Sequence, residues 1–158
     1  MARHLEQMDY TVWQEDIAET GATRAVAGEG GFSLIAVLNV LDRCAAPRSL
    51  LAGAHTLLGP EPGWLLLATP LPFRGAYYGW RTGWSGRPVE RFDLGGSDKA
   101  KPEDEVAWAA EALVLIEDML PAAGFEPVVV SRVPYICAGD AFVPFFELDD
   151  LVVLARKF

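Results

Sequence analysis

Phe32-Ser-Leu-Ile-Ala-Val-Leu38 runs directly into Asn39-Val-Leu-Asp-Arg-Cys44, and the first of these stretches decides the fold. It is apolar without polar alternation, as expected for a strand covered on both faces of an α/β sheet. Downstream, Pro47 suits the first position of a helix. Leu50, Leu51, Ala54, Leu57 and Leu58 recur at helical spacing, and Gly59-Pro60 ends the run. Trp64-Leu-Leu-Leu-Ala-Thr69 then reads as a second buried strand. Upstream, residues 1–9 read as the end of a helix, Tyr10-Thr-Val-Trp13 as a short strand and residues 21–31 as a loop. Strands alternating with helices predict a mostly parallel sheet with helices on both faces.

Residues 70–96 are rich in Gly, Pro, Arg and aromatics, with Trp80 close to Trp84, and read as a long loop with room for a short hairpin. Connections of this length inside a compact domain tend to carry function. Pro102-Glu-Asp-Glu105 places acids in the first turn of a helix, where they complement its dipole. Trp108, Ala112, Leu115, Ile116 and Met119 mark the apolar face of that helix, and Gly124 ends it. No helix fits between Val128-Val-Val130 and Leu151-Val-Val-Leu154, so these two should pair antiparallel at the sheet's edge.

Several function classes are disfavoured at this level. A net charge of -9 argues against a surface that tracks phosphates, because nucleic-acid binding generally needs a basic face. No apolar run approaches the length of a bilayer span, and the first residues hold no secretory apolar segment. An intracellular site is the default expectation, with the compartment itself unspecified. Cys44 and Cys137 have no C-x-x-C or histidine neighbours, so no metal site is expected and both read as reduced, largely buried thiols. His4 and His55 read as surface or helix residues, since neither has a partner at metal-ligand spacing. One domain of 158 residues accommodates all of this.

Four blocks narrow the reading: Leu38-Asn-Val-Leu-Asp-Arg-Cys44, Leu71-Pro-Phe73, Arg132-Val-Pro-Tyr-Ile-Cys137 with Gly139-Asp140, and Leu148-Asp-Asp150. In this order they resemble the DREV family, also called the methyltransferase-like-nine proteins. The resemblance runs from about the first residue to the last. It implies a class I, Rossmann-like fold, S-adenosylmethionine (SAM) as cofactor, and methylation of the pros nitrogen of histidine in His-x-His segments of a protein partner. In that fold the strands lie in the order 3-2-1-4-5-7-6, and the resemblance implies that this chain holds the third to the seventh. It would then be a single partial methyltransferase domain over residues 1–158, an incomplete sheet lacking the first two strands and closing on an antiparallel C-terminal pair. The glycine-rich cofactor turn is expected to be absent. Gly28-Glu-Gly-Gly31 precedes a strand instead of linking a strand to a helix, so it fails the context that such a turn needs. A strand left without its neighbour would expose an apolar edge, the expected mark of a fragment.

The chemistry places its own demands on the residues. Neutral imidazole already carries a lone pair on one nitrogen and a hydrogen on the other. A methyltransferase acting on it needs to fix tautomer and orientation more than it needs a strong base. Asp42 lies just beyond the carboxyl end of a strand, where open α/β sheets bind ligands. Accepting from the tele N–H there, it would leave the pros nitrogen free to attack. Asn39 would help hold the ring, and its backbone, with Val40, would face the cofactor. By residue type alone Asn39 and Asp42 serve equally well as caps of the following turn. The family resemblance implies the catalytic role for both. It further suggests Asp16 and Ile17 beside the cofactor, and Arg43, Tyr135 and Phe146 at the substrate. Two departures bear on substrate choice. Phe145-Phe146 stands where the family is tyrosine-rich, removing a hydroxyl at Phe146, and Arg74 stands where a histidine is usual. A non-catalytic Rossmann-like module binding peptides or proteins, or a methyltransferase for another acceptor, are the competing expectations.

Overall fold

The computed structural model describes residues 2–12, 17, 28, 30–60, 62–73, 77–78, 85–86, 88–90, 92–95, 104–139, 142 and 144–158. Helix α1 (Ala2–Glu6) is followed by strand β1 (Leu34–Leu38), a 3-10 turn (Leu41–Arg43), helix α2 (Pro47–Leu57) and strand β2 (Trp64–Pro70). Two short strands, β3 (Tyr77–Tyr78) and β4 (Ser85–Gly86), form the small hairpin within the long loop. Helix α3 (Glu105–Val114) continues through a π-helical segment (Leu115–Met119) into a last turn (Leu120–Ala122). The chain closes with β5 (Phe125–Ala138) and β6 (Phe145–Lys157).

The main sheet has the order β1-β2-β6-β5. β1 pairs parallel with β2 from Leu34↔Trp64 to Leu38↔Ala68. β6 inserts between β2 and β5, antiparallel to both, with Pro70 opposite Asp150 and Val133 opposite the same residue on the other side. The last two strands therefore pair as their composition predicts. They are much longer than their apolar centres, and a bulge between Pro127 and Val129 absorbs one residue of register.

Alternation along the strands sorts the two faces of the sheet. Val37, Leu65, Leu67, Leu151, Val153 and Ala155 project to one side and are buried. There they meet Leu50, Leu51 and Ala54 of α2, Ala112 of α3, and Leu115, Leu120 and Phe125 in one core cluster. Each fully buried leucine of this kind contributes roughly 2 kcal/mol. On the other face Leu34 and Leu38 remain 51% and 53% exposed, and Val129 54%. The expectation that β1 is covered on both faces is thus corrected. Among the described residues, α2 and α3 both pack on one side. The sheet is also less parallel than the alternation of elements suggests, since one of its three pairings is parallel.

Two further expectations change. Residues 10–12 follow α1 without strand structure, and Trp13 lies outside the described residues. A strand needs a neighbouring row of N–H and C=O groups, and none is described beside this segment. Phe32 makes an isolated parallel bridge to Leu58 ahead of β1 proper. Cys44 and Cys137 are not joined in a disulfide, and both are half-buried instead of largely buried.

The helix ends follow local chemistry. Asp104 caps α3 by accepting from the Ala107 N–H at 3.0 Å, so that of the acids expected in the first turn only Glu105 lies within it. Gly124 leaves the final turn at φ 84°, and a Cβ there would stand 2.6 Å from the His55 ring. Glycine is required at this point on both counts. His55 packs edge-on to Phe125 at 5.4 Å between ring centres, which makes it a brace between α2 and the start of β5.

Candidate functional site

β1 ends at Leu38, and the chain turns through Asn39 at φ 53°. This is the left-handed region, which Asn tolerates better than most residues because its short side chain finds local hydrogen bonds. The Asn39 backbone N–H donates to the Ala68 carbonyl at 2.9 Å and adds one more bond to the β1–β2 ladder. The 3-10 turn comes next. Leu41, fully buried, anchors it in the core, and Asp42 is carried down beside it with only 7% of its surface exposed.

Asp150 meets this turn from β6. It is 4% exposed and lies close enough to the Asn39 side chain for that side chain to lower its carboxyl. The carboxyl end of β1, the turn after it and the start of the β2-facing part of β6 thus converge on three polar side chains. Burial pushes the Asp42 carboxyl above the usual aspartate range. The Arg43 guanidinium, 3.4 Å from Asp42 Oδ2, pulls it back, and the charge of Asp150 pushes it up again. Asp150 is raised first by its own burial, against the lowering effect of the Asn39 side chain. Asp149 raises it further and Arg43 lowers it. The Asp150 charge thus adds to burial in opposing ionisation of Asp42.

Asn39 Oδ1, Asp42 Oδ1 and Asp150 Oδ1 are each buried and take no hydrogen bond from any described residue. Thr69 Oγ1 is in the same condition. Its register opposite Leu151 turns it to the helix-covered face, away from Asp150. A buried acceptor left without a donor costs roughly 1–3 kcal/mol. Such atoms gathered at a strand's carboxyl end mark a place where something else supplies hydrogens.

The residues singled out from sequence are distributed unevenly around this point. Asn39 and Asp42 are brought together, with Arg43 beside Asp42 and its own side chain half exposed. Val40 flanks them and is 44% exposed. Tyr135 and Phe146 stand on β5 and β6 opposite Leu148 and Cys137. Alternation places both on the same open face as Asp150, at one and two pleats' distance from it. Ile17 is elsewhere. It packs against the core, with its carbonyl oxygen over Gly53 of α2. Asp16 and Arg74 lie outside the described residues.

Asp150 is the residue that sequence reading left without a role, since two acids heading an apolar strand suggest only its polar end. Its neighbour behaves that way. Asp149 pairs with Arg132, which also pairs with Glu105 and lies over the Trp108 ring at 4.6 Å. The Asp149 carbonyl accepts from Trp108 Nε1 and from the Leu71 N–H, both at 3.1 Å. Leu71 precedes Pro72 through a cis peptide, and Phe73 donates its backbone N–H to the buried Glu111. The Leu-Pro-Phe block and the Leu-Asp-Asp block are thus tied to each other and to α3. The Asp150 carboxyl is left to face Asn39.

Comparison with known proteins completes the description. The crystal structure of TehB from Haemophilus influenzae is similar over 99% of this chain and 44% of its own, with 11% identity and a TM-score of 0.47. The chain therefore spans less than half the length of TehB. A family model described as DREV methyltransferase matches residues 1–157, nearly every residue present. The chain belongs to the DREV methyltransferase family.

Proposed function

We propose that this chain supplies the acceptor-binding side of a SAM-dependent protein methyltransferase that modifies the pros nitrogen of histidine in His-x-His segments. The observation that carries the reading is the Asn39–Asp42 pair at the carboxyl end of β1, Asn39 half-buried and Asp42 buried, each with a buried acceptor oxygen that no described residue satisfies. The methyl donor brings an electrophilic methyl on a positively charged sulfur, so the positive charge finishes on the acceptor ring. Asn39 and Val40 fit one flank of a site for it, because they leave β1 on the open side of the turn and the Asn39 Oδ1 is free to accept. The glycine-rich turn is not found in this sequence, and we read the cofactor as held chiefly by residues beyond those present here.

Asp42 accepts the tele N–H and fixes the tautomer that presents the pros lone pair. Its carboxylate also stabilises the charge that develops on the ring, in a buried setting where that attraction is stronger than in water. Asn39 restrains the ring's rotation. Tyr135 and Phe146 lie along the open face where the rest of the peptide would pass. Arg43 opposes the rise that burial gives the Asp42 carboxyl.

A His-Ala-His peptide tests the reading in two ways. With the gene's complete reading frame expressed and SAM supplied, mass spectrometry should find one added methyl group on a histidine, and Asp42→Ala should abolish it. With the present chain alone, the same peptide should perturb the amide resonances of residues 39–43. Methylation unchanged in Asp42→Ala would remove Asp42 from the mechanism. Binding of the peptide without methylation under any condition would favour a non-catalytic binding module, to which the exposed Phe145 and Phe146 lend themselves.

A further inference from the structure

The Asn39–Asp42–Asp150 cluster contains acceptors and almost nothing to satisfy them. Asp42 is 7% exposed and Asp150 4% exposed, and each keeps one carboxyl oxygen without a donor. Among the described residues, the Asn39 side chain lies beside Asp150 and lowers its carboxyl, and the Arg43 guanidinium donates to Asp42 Oδ2. Glu105, Arg132 and Trp108 are engaged with Asp149 or with one another and do not supply a hydrogen to Asp150 Oδ1. Among the described residues the cluster therefore offers hydrogen-bond acceptors in excess of donors. The carboxyls sit on two elements, the turn after β1 and strand β6, that only the folded sheet brings together.

We propose that Asp150 is a specificity-determining residue of this site: with Asp42 it forms a two-carboxyl acceptor that admits a group bringing N–H donors and able to carry positive charge. The inference rests on the methyltransferase reading above for its biological meaning and adds a residue and a selection rule to it. A carboxylate or phosphate acceptor would meet like charge and lone pairs on both walls, and is rejected. A hydroxyl offers one hydrogen and gains no stabilised charge. An imidazole or other nitrogen base offers an N–H on arrival and, once alkylated, a cation held between two carboxyls. Asp150 thereby discriminates among acceptors by what the buried oxygens lack.

The test follows the side-chain carboxyl carbons of Asp42 and Asp150 by 13C NMR in the full chain, with 4-methylimidazole, methylguanidinium and acetate as separate probes. Saturable movement of both resonances with 4-methylimidazole, and none with acetate, is the expected result. Asp150→Asn should weaken that binding tenfold or more with the amide spectrum preserved, and Asp150→Glu should recover part of it. If Asp42 alone responds and Asp150→Asn binds as the parent does, the role of Asp150 is overturned while the histidine reading stands. If both carboxyls respond to methylguanidinium and not to the imidazole, the two-carboxyl site stands and the histidine reading falls. If neither responds to any cationic or N–H-bearing probe, the proposal is overturned outright.

Discussion

Trp108 donates its indole N–H to the backbone carbonyl of Asp149 at 3.1 Å, one residue before the buried Asp150. A helix on one side of the sheet thus fixes the backbone from which a carboxyl projects toward the other. Replacing Trp108 by Phe keeps an aromatic face under Arg132 and removes only the donor. The loss should be about 1 kcal/mol of stability, read as a lower urea midpoint with an unchanged slope. The Asp150 carboxyl resonance should move as well. A variant as stable as the parent would show that the Leu71 N–H alone secures this carbonyl.

Glu111 makes the pH dependence of the fold testable. It is 1% exposed, and burial raises its carboxyl above the ordinary glutamate range, against the lowering effect of the Phe73 N–H. The folded form therefore holds the proton longer than the unfolded chain does. The stabilisation this confers is full below the ordinary range and is lost as pH rises through the folded value. Glu111→Gln keeps a carbonyl to accept from Phe73 and cannot ionise. Its stability should exceed the parent's at pH 7.5, and the difference should shrink toward pH 4. Equal denaturation midpoints across that interval would contradict the assignment.

Asn39 has a backbone task separable from its side-chain task. At φ 53° a Cβ-bearing residue without a polar tip is strained, whereas glycine is not. Asn39→Ala should be less stable than Asn39→Gly by roughly 1 kcal/mol by thermal melting. Both should lose the amide beside Asp150 and lose peptide methylation alike. If only the alanine variant lost activity, the amide would have no part in binding.

Asp42→Asn should separate stability from chemistry. The buried carboxyl is raised chiefly by desolvation, so a neutral isostere should unfold at a higher urea concentration than the parent at pH 7.5. Methylation of the His-Ala-His peptide by the complete protein should fall roughly a hundredfold or more, as happens when a carboxylate orienting an imidazole is lost. A variant that is both less stable and fully active would reverse this account of the residue.

The readability of this chain differs from residue to residue. β1 and β2 were legible because their cores are uninterrupted apolar runs, and α2 because Pro47 and Gly59-Pro60 bracket a helical repeat. The extents of β5 and β6 were not, since Glu147, Arg132 and Tyr135 extend the ladder through backbone bonds that side-chain polarity does not report. Nor was the open face of β1 legible. An apolar residue has the same pattern whether or not a neighbour covers it, and Leu34 and Leu38 are left half exposed. Asn39 and Asp42 were identifiable through a motif, while their meeting with Asp150 was not, because it lies more than a hundred positions later in the chain.

By itself the order of residues determined the elements, the antiparallel closing pair, the acidic character and the motif that places the chain among the DREV methyltransferases. These depend on local periodicity, on charge and on short-range turn chemistry, all of which are properties of neighbouring residues. The insertion of β6 between β2 and β5 follows the order 4-5-7-6 that the family resemblance implied, but only the tertiary structure decided that Asp150 is delivered opposite Pro70, toward Asn39 and Asp42. Burial, carboxyl repulsion and an unmet hydrogen-bond acceptor arise between residues distant in the chain, so they exist only once the sheet has formed.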